Sequence, residues 1–177
     1  MSIETMGQRR RDTCQVQGRS VETPDIVVER RTNGAGSHAP QAYPCNELIV
    51  MFGGQALVER SGEGVEERCL ARAGTAWTGP IGFAERAVLS DPIDCVHLCL
   101  PSGLLNRSAE QDFGVDPGKI ELAFAGGFHD PFITQAAQAF WDLSNQPAHS
   151  TDRLFVDVLT AALVAHVIKH YLSLIHI

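Results

Sequence analysis

The sequence predicts a mainly β domain followed by C-terminal helices, and three observations support that prediction. Short β-branched and apolar runs, separated by turn residues, fill the chain from Pro24 to Leu100. No run of helical periodicity interrupts them, and after Pro101 apolar residues recur at helical spacing. The 177 residues, 44% of them apolar and 20% charged, suffice for one folded domain of ordinary size.

The predicted strands follow one another at short intervals. They cover residues 25–31, 47–52, 55–60, 65–70, 75–78, 85–89 and 93–100. Gly53 and Gly54 end the second run, and segment 61–64 (SGEG) supplies glycines that can adopt positive φ in a hairpin turn. Many short strands without an intervening helix are typical of a β-sandwich or β-barrel.

Two helices are predicted after the strands. Asp130 followed by Pro131 is a strong helix start, because the carboxylate can cap free backbone N–H groups and proline has no N–H to leave unpaired. Pro147 ends this helix, and a second helix begins near Thr151 and reaches Tyr171. The apolar face of the first helix comprises Ile133, Ala136, Ala137, Phe140 and Leu143. The expected architecture is a barrel followed by a helical hairpin.

Charge and cysteine content restrict the possible functions. The formal net charge is −7, so a phosphate backbone would repel this chain, and we expect no nucleic-acid binding by it alone. Five cysteines without a CxxC pair favour reduced, buried thiols, the usual state in the cytosol. The N-terminus lacks the apolar segment of a signal peptide, and we expect no membrane span. The sequence therefore predicts a cytoplasmic protein without a membrane partner.

Two spacings in the strand region are more specific than composition. Glu47 is followed by six residues and then Gly54. The pattern G-x5-P-x-G-x2-E then runs from Gly74 to Glu85. In this order, separated by a hairpin, the two spacings resemble the two conserved motifs of cupin barrels. The resemblance implies a cupin-like (RmlC-like jelly-roll) β-barrel followed by the helical hairpin.

The departures from the cupin motifs bear on chemistry. Metal-binding cupins carry two histidines shortly before the glutamate, whereas residues 40–45 contain none and His38 lies too early. Glu85 stands where the second motif has a histidine. A first-row metal needs three or four converging ligands. We therefore expect no metal, no cofactor and no enzymatic activity.

The run from Ile26 to Tyr171 resembles the N-terminal half of AraC-type transcription regulators, through the barrel motifs and segments 96–105, 130–131 and 152–166. The resemblance implies that the barrel binds a small-molecule effector and that the helices form a homodimer. DNA would be bound only by a separate C-terminal domain with two helix-turn-helix units, which this chain lacks.

This interpretation divides the chain into four segments. Residues 1–23 form a flexible arm, or alternatively an arm that folds over a ligand. Residues 24–100 form the cupin-like barrel, and residues 101–171 form the helical dimerisation and linker region. Residues 172–177 fit nothing in the family and are interpreted as a non-native tail derived from a sequencing adapter. The alternative for that tail is a genuine apolar end to the helix.

Candidate site residues follow from the same interpretation. The effector-binding candidates are Glu47, Trp77, Glu85 and His97. The dimerisation candidates are Phe155, Val158, Leu159, Ala162 and His166. Trp77 also fits a core position and His97 a structural histidine, so both alternatives stay open. For the whole chain, the other interpretation is a stand-alone cupin enzyme or small-molecule-binding protein with a degenerate metal site.

Overall fold

The computed structural model describes residues 3–114, 116 and 120–174. Residues 1–2 of the predicted arm and 175–177 of the predicted tail lie outside this description. In chain order the elements are α1 Met6–Arg9, β1 Cys14–Glu22, β2 Val27–Asn33, β3 Gly36–Ala42, β4 Asn46–Gly53, β5 Gln55–Gly62, β6 Val65–Arg72, β7 Thr75–Gly79, β8 Ala84–Leu89, β9 Ile93–Leu100, α2 Ser102–Phe113, β10 Ile120–Leu122, β11 Ala125–His129, α3 Pro131–Ser144, α4 Asp152–Tyr171 and β12 Leu172–Leu174.

The strands form two facing antiparallel sheets. One has six strands in the order β1-β2-β9-β4-β7-β11, and the other has four in the order β3-β8-β5-β6. Met51, Trp77 and Cys95 of the larger sheet pack against Val58 and Leu89 of the smaller one, so a core fills the space between them. The predicted fold class, a cupin-like jelly roll with C-terminal helices, is confirmed.

The outer face of the six-stranded sheet is covered by α3 and α4. Leu48 and Val50 of β4 and Leu98 of β9 point to this side and pack with Phe140 and Leu163 of the two helices. Since successive residues of a strand alternate between faces, Glu47 and His97 point to the opposite side, between the sheets. Both faces of these strands are therefore buried.

Helices α3 and α4 begin and end close to where the sequence predicts, whereas α1 and α2 are additional to those two predicted helices. The Asp130 carboxylate accepts hydrogen bonds from the backbone N–H groups of Phe132 (2.9 Å) and Ile133 (3.0 Å), and Pro131 opens α3. The predicted apolar face of α3 is its inward face: Ile133, Ala136, Ala137 and Phe140 are buried, and Leu143 packs beside them. These predictions are confirmed.

The buried face of α4 differs from the predicted apolar stripe, which consists of the dimerisation candidates Phe155, Val158, Leu159, Ala162 and His166. The buried face consists of Val156, Thr160, Leu163, Val164 and Val167. Two of the dimerisation candidates, Phe155 (46%) and Val158 (61%), are exposed, and so is Ala162. Leu159 is partly buried, and His166 contacts the Asp130 carboxylate at 2.7 Å. The predicted stripe therefore lies mainly on the outward side of the helix.

Three segment boundaries differ from the prediction. Residues 14–22, expected to be part of a flexible arm, form β1 and pair with β2. Strand β11, within the region predicted as helical, completes the six-stranded sheet by pairing with β7. Leu172–Leu174 pair with β10. Strands β1 and β11 are the edge strands of the six-stranded sheet, and their side chains show little apolar periodicity to reveal this.

Helix α4 bears on the expectation that no segment spans a membrane. Its 20 residues are long and apolar enough to cross a membrane by length and composition. The same helix packs five buried residues onto the sheet and neighbouring helices, as a core helix of a folded domain does. Length and composition are therefore weak evidence for a span here.

Candidate functional site

A cavity of about 60 Å³ lies between the two sheets. The four predicted effector-binding residues, Glu47, Trp77, Glu85 and His97, all line it. They come from four different strands, β4, β7, β8 and β9. Whether they bind an effector stays a prediction, but the fold brings them to one place.

Arg31 organises one side of the cavity. We call this side the Arg31 cluster: Glu29, Arg31, Glu47, His97 and Cys99. Arg31 Nε donates to Glu29 Oε2 at 2.8 Å, and Arg31 Nη1 lies 2.9 Å from Glu47 Oε1 and 3.1 Å from His97 Nδ1. The Cys99 thiol donates to Glu47 Oε1 at 3.3 Å. Arg31 and Glu47 are each 1% exposed, so this ion pair is removed from water.

The Arg31 cluster holds an ionised carboxylate beside a neutral imidazole. Burial raises the pKa of Glu47, but the Arg31 guanidinium and the hydrogen bonds from His97 and Cys99 together outweigh burial and hold that pKa at about 2. Burial lowers the pKa of His97, and the nearby positive charge of Arg31 lowers it further. At neutral pH Glu47 is therefore negative and His97 uncharged.

Arg60 organises the other side of the cavity. We call this side the Arg60 cluster: Arg10, Tyr43, Arg60 and Glu85. Arg60 Nε donates to Glu85 Oε2 at 2.6 Å, and the Tyr43 hydroxyl donates to the same oxygen at 2.5 Å. Burial raises the pKa of Glu85, but the charge of Arg60, the Tyr43 hydrogen bond and the charge of Arg10 together lower that pKa overall. Glu85 is buried while its neighbour Arg86 is exposed, as alternation along a strand requires.

The N-terminal helix closes the cavity against both clusters. Met6 packs on Tyr43 and Phe83, and Arg10 Nη2 donates to the Glu85 backbone carbonyl at 2.9 Å. Thr5 caps the helix and donates its hydroxyl proton to Glu29 Oε1 at 3.2 Å. Gly7 approaches Arg31 so closely that a Cβ there would lie 2.7 Å from Arg31 Nε.

The donor set does not fit the metal that cupin barrels often hold. Glu47 and Glu85 are each engaged by a guanidinium, whose positive charge would oppose a second cation. His38 uses both ring nitrogens, Nε2 on the Gly34 carbonyl (2.8 Å) and Nδ1 on the Thr13 hydroxyl (3.0 Å). Across residues 3–114, 116 and 120–174, no three His, Cys, Asp or Glu side chains form a group that could hold a metal ion.

Unsatisfied polar groups concentrate at this cavity. Among the described residues, four buried side-chain polar atoms have no hydrogen-bond partner: Arg10 Nε, Glu47 Oε2, His97 Nε2 and Thr160 Oγ1. Three of the four belong to residues that line the cavity. A buried polar group without a partner costs about 1–3 kcal/mol, so a molecule that satisfied these atoms would be favoured there.

Comparison with known proteins gives matches in structure only. No protein-family model matches the chain, and no curated protein sequence matches it. A cupin superfamily protein from Desulfitobacterium hafniense is 9% identical, with 51% of this chain and 79% of that chain covered and a TM-score of 0.40. A proposed mannose-6-phosphate isomerase from Ralstonia eutropha is 18% identical (50% and 84% covered, TM-score 0.40). Fe(II)-HppE with an alternative substrate is 8% identical (50% and 50% covered, TM-score 0.42).

These matches correct one prediction. The expectation that the chain is not an enzyme is contradicted, because the similar structures include Fe(II)-HppE with an alternative substrate and Co(II)-HppE with its substrate. At such identities and TM-scores they assign no reaction to this chain.

Sequence reasoning missed Arg31, Arg60 and Tyr43, which hold the predicted glutamates. One signal was available for the first: Glu29 and Arg31 are two residues apart in a predicted strand and therefore on one face. Opposite charges on the inward face of an otherwise apolar strand indicate a buried ion pair. Arg60 and Tyr43 lie in different segments, and nothing in the sequence relates them to Glu85.

Proposed function

We propose that this chain is the effector-sensing and dimerisation portion of an AraC-type transcription regulator that acts in the cytoplasm. The observation that carries the proposal is the cavity between the sheets, where three of the four unpartnered buried polar atoms of the described residues belong to lining residues. A binding cavity with a few fixed polar groups among apolar walls is the usual form of a small-molecule site.

The position of α1 supports a sensing role. The helix contacts both charged clusters, through Thr5 and Gly7 on one side and Arg10 on the other. A molecule bound between the clusters would favour the state in which α1 is docked, because the molecule can leave the cavity only when the contact of α1 with the clusters opens. Ligand binding thereby shifts the equilibrium between docked and undocked positions of α1 towards the docked state, and this shift is the proposed signal.

The outward face of α4 supports dimerisation. Leu154 (65% exposed), Phe155 and Val158 are large apolar residues at helical spacings that bring them to one side of the helix. Apolar side chains grouped on a surface favour association with another protein surface. A second copy of this chain is the occupant that we propose, and DNA would be bound only through a further domain outside this chain.

Sedimentation equilibrium of the full chain tests the dimer. We expect wild-type protein to form a concentration-dependent dimer and Val158→Asp to shift dissociation by at least about tenfold, because the carboxylate would be desolvated in the interface. The matched control is Leu70→Asp, which replaces another exposed leucine (66%) on β6, and we expect its dimer to be unchanged. A wild-type monomer at every concentration, or equal effects of both variants, would contradict dimerisation through α4.

A further inference from the structure

We propose that the cavity binds a small neutral molecule through a group that both donates and accepts hydrogen bonds, as a carboxamide or a hydroxyl does. This inference rests on the proposed receptor function and adds the chemical class of the ligand. It follows from the two deeply buried, unpartnered atoms at the Arg31 cluster, Glu47 Oε2 and His97 Nε2.

The proton position on His97 follows from its neighbours. His97 Nδ1 lies 3.1 Å from Arg31 Nη1 and 3.5 Å from Glu47 Oε1. A guanidinium can only donate, so Nδ1 accepts in the shorter contact, and the ring proton of the neutral imidazole is on Nε2. The unpartnered atom of His97 is therefore a donor, and it requires an acceptor from the ligand.

Glu47 supplies the complementary group. Its Oε1 is engaged by Arg31 and by the Cys99 thiol, while Oε2 has no partner. The carboxyl is ionised at neutral pH, because Arg31, His97 and Cys99 together outweigh burial and hold its pKa at about 2. Oε2 is therefore an acceptor only and requires a donor from the ligand. A single group with both a donor and an acceptor satisfies Glu47 and His97 together.

Saturated guanidinium groups argue against an anionic ligand. Arg31 uses its nitrogens on Glu29, Glu47, His97 and Cys99. The nitrogens of the second guanidinium, that of Arg60, bind Glu85, Glu67 and the carbonyls of Thr78 and Ala125. Neither of these two guanidinium groups has a free edge for a carboxylate or phosphate. The third, that of Arg10, binds the Glu85 carboxylate and carbonyl through its terminal nitrogens and leaves only Nε without a partner. An anion would also face the negative Glu47.

A cationic ligand is disfavoured by the same neighbours. It would meet the N–H of His97, which needs an acceptor, and the positive charges of Arg10, Arg31 and Arg60 around the same cavity. These arginines already balance the carboxylates at hydrogen-bond distance. A neutral ligand satisfies both unpartnered atoms of the Arg31 cluster without adding an uncompensated buried charge.

The size of the cavity limits the ligand. A buried water occupies about 10–15 Å³ by the same measure, so about 60 Å³ corresponds to roughly four to six non-hydrogen atoms. Met6, Ile49 and Trp77 provide apolar walls beside the polar atoms. A short molecule with one apolar side and one amide or hydroxyl group matches this lining.

Three probes of equal shape and different charge test the ligand class: acetamide, acetate and acetamidinium. Each is titrated into the full chain while the ring ¹H and ¹⁵N resonances of His97 are followed by NMR. We expect a saturable shift of His97 Nε2 with acetamide, and dissociation constants at least about tenfold larger for both charged probes. Glycerol, titrated in the same way, distinguishes a hydroxyl ligand from an amide ligand.

Two variants locate the effect. Glu47→Gln keeps the shape of the side chain but removes the negative charge, so the preference for acetamide over acetate should fall severalfold. The matched control, Thr160→Val, removes the fourth unpartnered buried atom, which lies on α4. It should leave every dissociation constant unchanged. If Glu47→Gln does not fold, the titration of the probes into wild-type protein still tests the ligand class.

The outcomes separate this inference from the proposed function. Tighter or equal binding of acetate or acetamidinium at His97 would overturn the neutral ligand class and leave the receptor function standing. Absence of a saturable His97 shift with all four probes would mean that the cavity holds hydration water only, and both proposals would fall.

Discussion

The two faces of the central strands differ in what they bury. The outer faces of β4 and β9 present Leu48, Val50 and Leu98 to apolar side chains of the helices. The inner faces of the same strands present Glu47 and His97 to a cavity closed by arginines. Apolar burial stabilises the fold at about 25 cal/mol per Å², whereas a buried ion pair often stabilises it no more than apolar residues of equal volume would. The buried charged residues of the inner face are therefore not explained by stability alone.

The largest expected effect is on the inner face. Arg31→Met should lower the free energy of unfolding by about 3–5 kcal/mol, because Glu29 and Glu47 would remain buried without their cation. Urea-induced unfolding measures the loss. The control is the adjacent Arg30→Met, whose partner Asp94 is partly exposed on the other face, and which should cost about 1–2 kcal/mol. Equal losses would remove the distinction between the two faces.

On the outer face, Leu98→Ala should lower the free energy of unfolding by about 2–5 kcal/mol through lost apolar contact and a cavity. Because the outer contacts are uncharged, the loss should be the same at pH 5 and pH 7, as urea unfolding at both values would show. A loss that depends on pH would indicate that the two faces are coupled through the strand.

The inner face should also make stability depend on pH. The folded-state pKa values of Glu47 (about 2) and His97 both lie below their unfolded values. Such groups contribute stability that is present above the unfolded pKa and lost as the pH falls through the folded pKa. The free energy of unfolding should therefore decrease below about pH 6.5 through His97, and by about 3 kcal/mol more between pH 4.5 and 2 through Glu47.

Unfolding measured from pH 7 to pH 2 checks this dependence. Glu47→Gln should flatten the acid part of the curve, whereas the exposed Glu22→Gln should leave its shape unchanged. An identical slope in wild type and Glu47→Gln would show that the acid loss comes from elsewhere.

A smaller effect is expected where α1 meets the inner face. In Gly7→Ala the new Cβ would lie 2.7 Å from Arg31 Nε and 3.0 Å from Glu29 Oε2, so α1 must shift outward. We expect a loss of about 1–3 kcal/mol in the free energy of unfolding and faster tryptic cleavage at Arg9 and Arg10. Gly103→Ala, where the nearest atom is the end of the Arg107 side chain at 3.4 Å, is the control. Cleavage at the wild-type rate would contradict the close contact of α1.

The comparison of faces also explains what the sequence could predict. The outer face follows from periodicity: the inward stripe of α3 and the cap at Asp130 were both predictable. On the inner face, turn spacings marked the strands of Glu47 and Glu85, Trp77 and His97 were also predicted, and the spacing of Glu29 and Arg31 gave a signal for Arg31. Arg60 was not predictable, because its pairing with Glu85 depends on the register of β5 with β8. Strand β1 was missed because its outward side chains are mostly polar, so an edge strand resembles an arm.

The smallest expected effect is the absence of binding to DNA. The chain carries 14 Lys and Arg against 21 Asp and Glu, and two of the arginines, Arg31 and Arg60, are buried inside the barrel and paired with carboxylates. Burial removes those cations from the surface, so non-specific affinity should be negligible even at low ionic strength. Fluorescence anisotropy of a labelled duplex checks this across a salt series. Tight, salt-sensitive binding by this chain would contradict the proposal that the barrel senses a ligand while a separate domain binds DNA.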